Sequence, residues 1–410
     1  MRAKTLASKI IFLEIPKIFG SLNIIYSFNK YIKLSHSKKN APKMNITPSL
    51  AATLLERFPF QKGFVLVTTL WILAMLSIAA SFFALWTQRT VTIAQTRQAD
   101  IQGEIDMLST QANIVYLLTT QRFTLGGLTV PEPSKDIAPK KNDDDDEDDV
   151  SIFALGTEIA LDDRPYFGHG KAVFALQDEG GLININLETE QTLRRLLGLL
   201  GVEAKLRAPL IAKLKDYIDL DDLHRVNGAE SYHYEQRHLP PPTNRYLIHQ
   251  METRRVLDWA EQTKLWENHQ FRQVTHLLLA ARPNINTAPS LVLQAAYNLR
   301  ADNAERIIKM RESMPFYGLT KIFQATGVYL NIDPLEENFF PSSFLRLTLW
   351  YTGARRMRQI HIQLMPNAEN RKPWQIESSL EFELLPVYTE KFPHHAQTTL
   401  FTPTLSTKTQ

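Results

Sequence analysis

One stretch limits the fold of this chain more than any other. Phe64 to Trp86 reads FVLVTTLWILAMLSIAASFFALW, 23 residues without a charge, a Pro or a Gly. As an α-helix it spans roughly 34 Å, enough to cross a bilayer core. Its hydroxyls, on Thr68, Thr69, Ser77 and Ser81, can donate back to helix carbonyls. The net charge of +3 over 410 residues hides an asymmetry around this run. Residues 1–63 hold eleven Lys and Arg against two acids, Glu14 and Glu56, a net of +9, and the remainder nets −6. Cations before the span place that side in the cytoplasm and the residues after Trp86 outside. A body at −6 has no global electrostatic reason to bind nucleic acid. Zero Cys excludes thiol nucleophiles, disulfides, iron–sulfur clusters and Cys-based zinc sites.

A secretory signal peptide ends its apolar run in small residues. This run ends in Phe82-Phe83-Ala84-Leu85-Trp86, which is bulky. Its other edge, Gln61-Lys62-Gly63-Phe64, resembles a type IV prepilin processing site. That resemblance implies a cut after Gly63 by a membrane peptidase, methylation of the new N-terminal Phe64, and retention of the helix as the anchor. Residues 1–63 are then a leader. Met44 would give a 20-residue leader and is the expected initiator.

Beyond the lipid segment, Ile101, Ile105, Leu108, Ala112 and Val115 recur at steps of four and three. The pattern predicts one helix over 64–122, half in lipid and half packed through that stripe on a soluble domain. Residues 129–150 read as a disordered linker: Pro131, Pro133 and Pro139, then the acidic run Asp143–Asp149, whose carboxylates repel one another. Strands are expected at Ser151–Leu161 and Lys171–Asn186, the latter broken by a Gly180-Gly181 turn. From 188 to about 340 the periodicity is helical, with helices at 193–200, 206–218, 257–266, 271–281, 290–299, 303–311 and 319–326. Alternation then returns in Leu345-Leu347-Leu349, Ile360-Ile362-Leu364 and Ile376 to Leu384. A loose tail is expected over 387–410. Helices confined to one block make the class α+β.

The acidic segment Asp216-Tyr-Ile-Asp219-Leu-Asp221-Asp222, followed by Gly228 and Glu230, offers several hard oxygen ligands around a bend. Calcium suits such a set, although the spacing is not that of an EF-hand. A solvated acidic loop is the competing reading. Zinc is conceivable with His224, His233 and His238 nearby, but no HExxH motif is present. Residues 284–327, opening with Asn284-Ile-Asn-Thr-Ala-Pro289, resemble a helix-hairpin-helix unit, with Thr287 expected to cap its first helix. The hairpin at 298–302 lacks Gly, and five basic residues against three acids form no basic stripe, so a structural hairpin is expected. No G-x-S-x-G, Walker loop or dinucleotide Gly pattern occurs, and no catalytic role is expected.

In their order along the chain these pieces resemble the minor pseudopilin K of the type II secretion system, also called general secretion pathway protein K. The resemblance rests on Gly63-Phe64 and the apolar helix, Asp178-Glu-Gly-Gly-Leu-Ile-Asn-Ile-Asn186, Asp216 to Asp221, Gly228-Ala-Glu230 with Tyr232 and Tyr234, Pro242-Thr-Asn244-Arg245, and Asn284 to Pro289. It implies a pilin-like fold: a long N-terminal transmembrane helix, then an antiparallel sheet begun within 123–187, interrupted by an all-α domain at 188–340 and completed at 341–386. It implies structural calcium held by Asp219, Asp221 and Glu230, with Asp216 and Asp222 as further ligands. Ser231 departs from the acid often found there and leaves a second site in doubt. The fifth residue after the cut, usually Glu in pilins, is Thr68, and K-type members typically also lack that Glu. Val65, Thr68, Leu73 and Ser77 are the expected helix-packing positions. The implied partners are the I- and J-type minor pseudopilins, the major pseudopilin and the prepilin peptidase, with no nucleic acid. The implied location is the inner membrane, single-pass, with a periplasmic body forming the tip of a pseudopilus that exports folded proteins. Two alternatives stay open: a minor type IV or DNA-uptake pilin using 284–327, and a membrane-anchored periplasmic metalloenzyme.

Overall fold

The structure is a computed structural model that describes residues 64–131, 152–277, 282–333, 336–369 and 371–401. Gly63, the leader and the acidic run 143–149 lie outside the described residues. The chain divides into two compact units, up to Leu85 and from Trp86 onward.

Helix α1 runs from Phe64 to Thr120. Its first part is the apolar run, long and apolar enough to cross a membrane by length and composition. Thr68 and Thr69 donate to the carbonyls of Val65 and Leu66 at 2.9 Å, and Ser81 donates to Ser77 at 2.8 Å. The hydroxyls of Thr68, Thr69 and Ser81 are therefore met within the helix itself.

In the larger unit two short strands follow, β1 (Phe123–Thr124) and β2 (Gly127–Leu128), then β3 (Asp162–Phe167) and β4 (Ala172–Asp178). An inserted block begins with β5 (Ile183–Asn184), α2 (Glu190–Leu199), α3 (Ala204–Ile218) and α4 (Ser231–Glu235). It continues with α5 (Thr263–Trp266), α6 (Gln270–Val274), β6 (Thr275–His276), α7 (Ser290–Tyr297), α8 (Ala301–Arg311) and α9 (Leu319–Thr326). The chain then returns through β7 (Phe344–Tyr351), β8 (Arg356–Leu364), β9 (Trp374–Glu383) and α10 (Pro386–Glu390). The main sheet is antiparallel, in the order β3-β4-β7-β8-β9. Strands β4 and β7 pair from Ala172↔Tyr351 to Asp178↔Leu345, although the whole helical block lies between them in sequence.

Asp178 closes that seam. Its buried carboxylate accepts from Gly180 N (2.9 Å), Ser342 N (3.0 Å), Ser342 Oγ (2.6 Å), Asn284 Nδ2 (3.0 Å) and Thr287 Oγ1 (2.9 Å). Burial pushes its pKa up, and the bonds from Ser342, Thr287 and Asn284 offset only part of that rise. One side chain thereby ties the entry, the exit and the interior of the insert.

Leu345, Leu347 and Leu349 join Phe174, Leu176, Ile360 and Ile362 against Met107, Ile114, Leu117 and Leu118 of α1. The opposite sheet face is also covered, by Trp350, Met357, Leu385 and Tyr388. The insert has its own core, including Leu193, Leu196, Leu214, Trp259, Phe271 and Leu293.

Several expectations are corrected. The α1 stripe Ile101, Ile105, Leu108 and Ala112 is exposed and Val115 half-buried, while the head buries Gly103, Asp106, Met107, Thr110 and Ile114. Polar and small residues face the head because its turns need acceptors and space there. Asp106 Oδ2 accepts from Lys171 N (2.9 Å), Thr110 Oγ1 accepts from His169 N (2.9 Å), and a Cβ on Gly103 would stand 2.6 Å from the Tyr351 ring. Ser151–Leu161 is no strand; among its described residues only Ile159 bridges, to Leu128, and the strand begins at Asp162. Ile183-Asn184 forms no hairpin with β4; it pairs in parallel with β6, and Ile183 enters the insert core. The predicted helix at 257–266 shrinks to α5 and the one at 271–281 to α6, after which the chain extends into β6. Thr129 and Val130, expected in the linker, are buried. Thr287 does not cap α7, because its hydroxyl goes to Asp178 and the cap position is Pro289. The segment after Pro386 is packed as far as Phe401: Tyr388 and Phe401 are buried, and His394 bridges to Tyr166.

Candidate metal centre

Helix α3 ends in the acidic segment. Asp216 lies in its last turn and Asp219 is its C-cap, so the backbone turns away from the helix axis between two carboxylates. The chain then loops through Asn227, in the left-handed region at φ 64°, to Gly228 and on to Glu230, the N-cap of α4. That loop folds Glu230 back onto the end of α3. Carboxylate oxygens of Asp216, Asp219 and Glu230 come within 4.8 Å of one another, the group of acids or histidines that converges among the described residues.

Each ligand is placed by a local constraint. Asp216 is fully buried, and its Oδ2 accepts from Ala229 N (2.9 Å) and Arg225 N (3.1 Å). A Cβ at position 228 would lie 1.8 Å from the same oxygen, so only Gly lets the loop close over Asp216. Glu230 N donates to His233 Nδ1 at 3.1 Å. Both Glu230 oxygens and Asp219 Oδ1 are buried with no hydrogen-bond partner. Arg225 Nη1 bonds Asp216 Oδ1 at 2.8 Å and also contacts Asp219, and these carboxylates hold its pKa above the usual arginine value.

Glu230 is only 5% exposed, and burial with the charges of Asp216, Asp219, Asp222 and Asp221 pushes its pKa up to about 7. Three buried oxygens without donors, on carboxylates that repel one another, fit a hard cation with oxygen ligands. The set contains no nitrogen ligand, which does not suit zinc. His224 and His233 face each other's rings at 5.4 Å, and His233 Nδ1 is taken by the Glu230 backbone.

The five sequence-selected acids thus separate. Asp216, Asp219 and Glu230 converge. Asp221 turns to its own loop, accepting from Leu223 N at 2.9 Å, and Asp222 accepts from Asn244 Nδ2 at 3.3 Å. Asn244 Oδ1 is itself buried without a partner. Sequence reasoning missed Arg225, which provides positive charge to the cluster, and the steric role of Gly228; the one visible signal was a Gly two residues before the Glu. The other selected positions lie on α1: Phe64, its first residue, and Val65, Leu73 and Thr68 along it, with Ser77 accepting from Ser81 through its carbonyl. In the 284–327 module the cations work internally. Arg311 donates to the carbonyls of Ile285 and Ala288 (2.7 Å each), Arg306 to Thr326 O (3.3 Å), Arg300 to Asp302 (3.2 Å), and Lys321 lies over the Tyr317 ring.

Residues 173–265, which contain the seam turn and the whole carboxylate cluster, match the family model for the first domain of type II secretion system protein K. That stretch is similar to protein K. No curated protein matches it. A crystal structure of the GspK-GspI-GspJ complex from the Type 2 Secretion System of enterotoxigenic Escherichia coli aligns over 73% of this chain and 99% of the matched chain. The identity is 18% and the TM-score 0.43, too low to transfer detail. The protein K match and the motifs quoted from the sequence coincide over Asp178 to Arg245.

Proposed function

We propose that the chain is a minor pseudopilin of the type II secretion system. It would be anchored once in the inner membrane, with its body in the periplasm, and would act by assembly and not by catalysis. The prepilin peptidase would cut after Gly63, and Phe64 would be methylated. With I- and J-type minor pseudopilins it would form the tip complex on which the major pseudopilin polymerises. Calcium would be structural, held by Asp216, Asp219 and Glu230.

The observation that carries this reading is the second face of α1. A simple anchor needs an apolar span and nothing apolar beyond it. Here the helix continues past Trp86, buries one face on the sheet, and leaves Ile101, Ile105 and Leu108 open at 62%, 49% and 54% exposure. Unpartnered aliphatic residues at helical spacing suit a neighbouring helix. Val65, Thr68, Leu73 and Ser77 would continue that contact in lipid, where close packing replaces the hydrophobic effect.

Disulfide crosslinking tests it directly, since the chain has no native Cys. A single cysteine at Ile101, Ile105 or Leu73, with one introduced on the corresponding helix of a candidate I- or J-type partner and an added oxidant, should trap that second pseudopilin in membranes. Exclusive self-pairing, or trapping from the buried Ile114 as readily, would refute the assembly.

A further inference from the structure

The end of the sheet nearest Trp86 along α1 carries arginines at the β7–β8 turn. Strand β7 runs down α1 until Tyr351 packs on Gly103 and donates its hydroxyl to Asp100 (3.0 Å); the β7–β8 turn, with Gly353 at φ +91°, then opens beside Thr96. Arg355 and Arg356 follow that turn and are exposed, as are Arg89 and Arg97 on α1 and Lys171 at the neighbouring β3–β4 turn. We propose that this hairpin is a contact for anionic phospholipid headgroups, with Arg355 and Arg356 binding lipid phosphates beside the helix. The proposal rests on reading Phe64–Trp86 as the membrane span.

Geometry and charge both support it. Thr96 is ten residues beyond Trp86, roughly 15 Å along the helix. The headgroup layer occupies ~6 Å of that, and the remaining ~9 Å is close to one Debye length at physiological salt. Long arginine side chains bridge such a gap while their stems stay on the protein. The acids around the turn are largely engaged: Arg358 takes Glu104 (3.0 Å) and Glu381 (2.6 Å), and Tyr351 takes Asp100. Glu383 is the cross-strand neighbour of Arg356 and the one acid left beside the pair. Among the described residues Arg89, Arg97, Lys171, Arg355 and Arg356 make no ion pair. Counted as charges, Arg89, Arg97, Lys171, Arg355, Arg356 and Arg358 exceed Asp100, Glu104, Asp106, Glu381 and Glu383 by one, a small positive excess on a body whose residues after 63 net −6.

The test uses the full processed chain with Thr352→Cys carrying a fluorophore, reconstituted in phosphatidylcholine vesicles with or without phosphatidylglycerol and with a headgroup-attached quencher. Quenching should be strong only with phosphatidylglycerol and should fade with added salt. The double variant Arg355→Gln/Arg356→Gln should reduce the docked-to-free ratio about 30-fold, from about fivefold per basic residue at an anionic surface. The salt titration needs no variant, so misfolding cannot mimic the result. Equal quenching in neutral vesicles, quenching that ignores salt, or none in either would overturn the headgroup contact. A chain that carbonate extracts from the vesicles would overturn the span and the contact together.

Discussion

Removing the cation should make the insert's stability depend on pH through Glu230. In the cation-free fold this carboxyl is raised from 4.5 to about 7 by burial and four neighbouring aspartates. The folded chain therefore holds the Glu230 proton more tightly than the unfolded chain does. The associated stability is fully present below about pH 4.5 and is lost as pH rises through about 7. The difference corresponds to about 3 kcal/mol, since one pKa unit is 1.36 kcal/mol. A cation at a hundred times its Kd returns about 2.7 kcal/mol. For a unit of this size each kcal/mol moves Tm by about 2–4 °C, so EDTA at pH 8 should lower the melting of the insert by roughly 5–11 °C. Calcium should restore it, and magnesium less so, because it dehydrates reluctantly. Glu230→Gln separates this from a packing effect: it should stabilise the chain in EDTA at pH 8 and destabilise it in calcium relative to the parent. Differential scanning calorimetry of the detergent-solubilised chain reads both arms. If Glu230→Gln lowers Tm equally in EDTA and calcium, or EDTA changes nothing, the cation reading is wrong.

The remaining predictions concern single contacts. Gly228→Ala places a methyl where Asp216 Oδ2 sits, 1.8 Å from the ideal Cβ, and should weaken calcium at least tenfold by isothermal titration. Asp178→Ala leaves the donors of Gly180, Ser342, Asn284 and Thr287 unmet in a buried seam; urea unfolding should show a loss of at least about 3 kcal/mol, and Asp178→Asn a smaller one. Ile105→Asp should leave thermal stability within about 0.5 kcal/mol, because the residue is exposed, yet abolish co-purification with other pseudopilins. Loss of the fold in that variant would contradict the exposed face of α1.

Much of the architecture was legible along the chain. A 23-residue uncharged run is long and apolar enough to cross a membrane, and alternation in Leu345, Leu347 and Leu349 predicts β7 correctly. The wrong face of α1 has a specific cause. The spine helix has two apolar faces: Ile101, Ile105 and Leu108 stay open, while the head takes Met107, Ile114, Leu117 and Leu118 together with Gly103, Asp106 and Thr110, the last two accepting from backbone amides of the β3–β4 turn. Hydrophobic periodicity reports apolar faces and cannot report that demand. Ile183-Asn184 failed as a hairpin for a related reason: its apolar side chains suit either core, and the seam at Asp178 directs them into the insert. Tyr388 and Phe401 were read as tail because a short polar stretch carries no period, yet single aromatics suffice to seat it.

Local quantities gave the long apolar helix, most of the helices and the C-terminal strands, and the neighbourhood of the acidic site, because run length, charge asymmetry and repeat spacing are properties of adjacent residues. Folding in three dimensions chose which carboxylates meet. Asp216 and Glu230 are far apart along α3 and its loop, and they converge because the backbone reverses at Asn227-Gly228 where no side chain stands in the way. Asp221 and Asp222, closer in sequence, point elsewhere, since their oxygens are already taken by Leu223 N and Asn244.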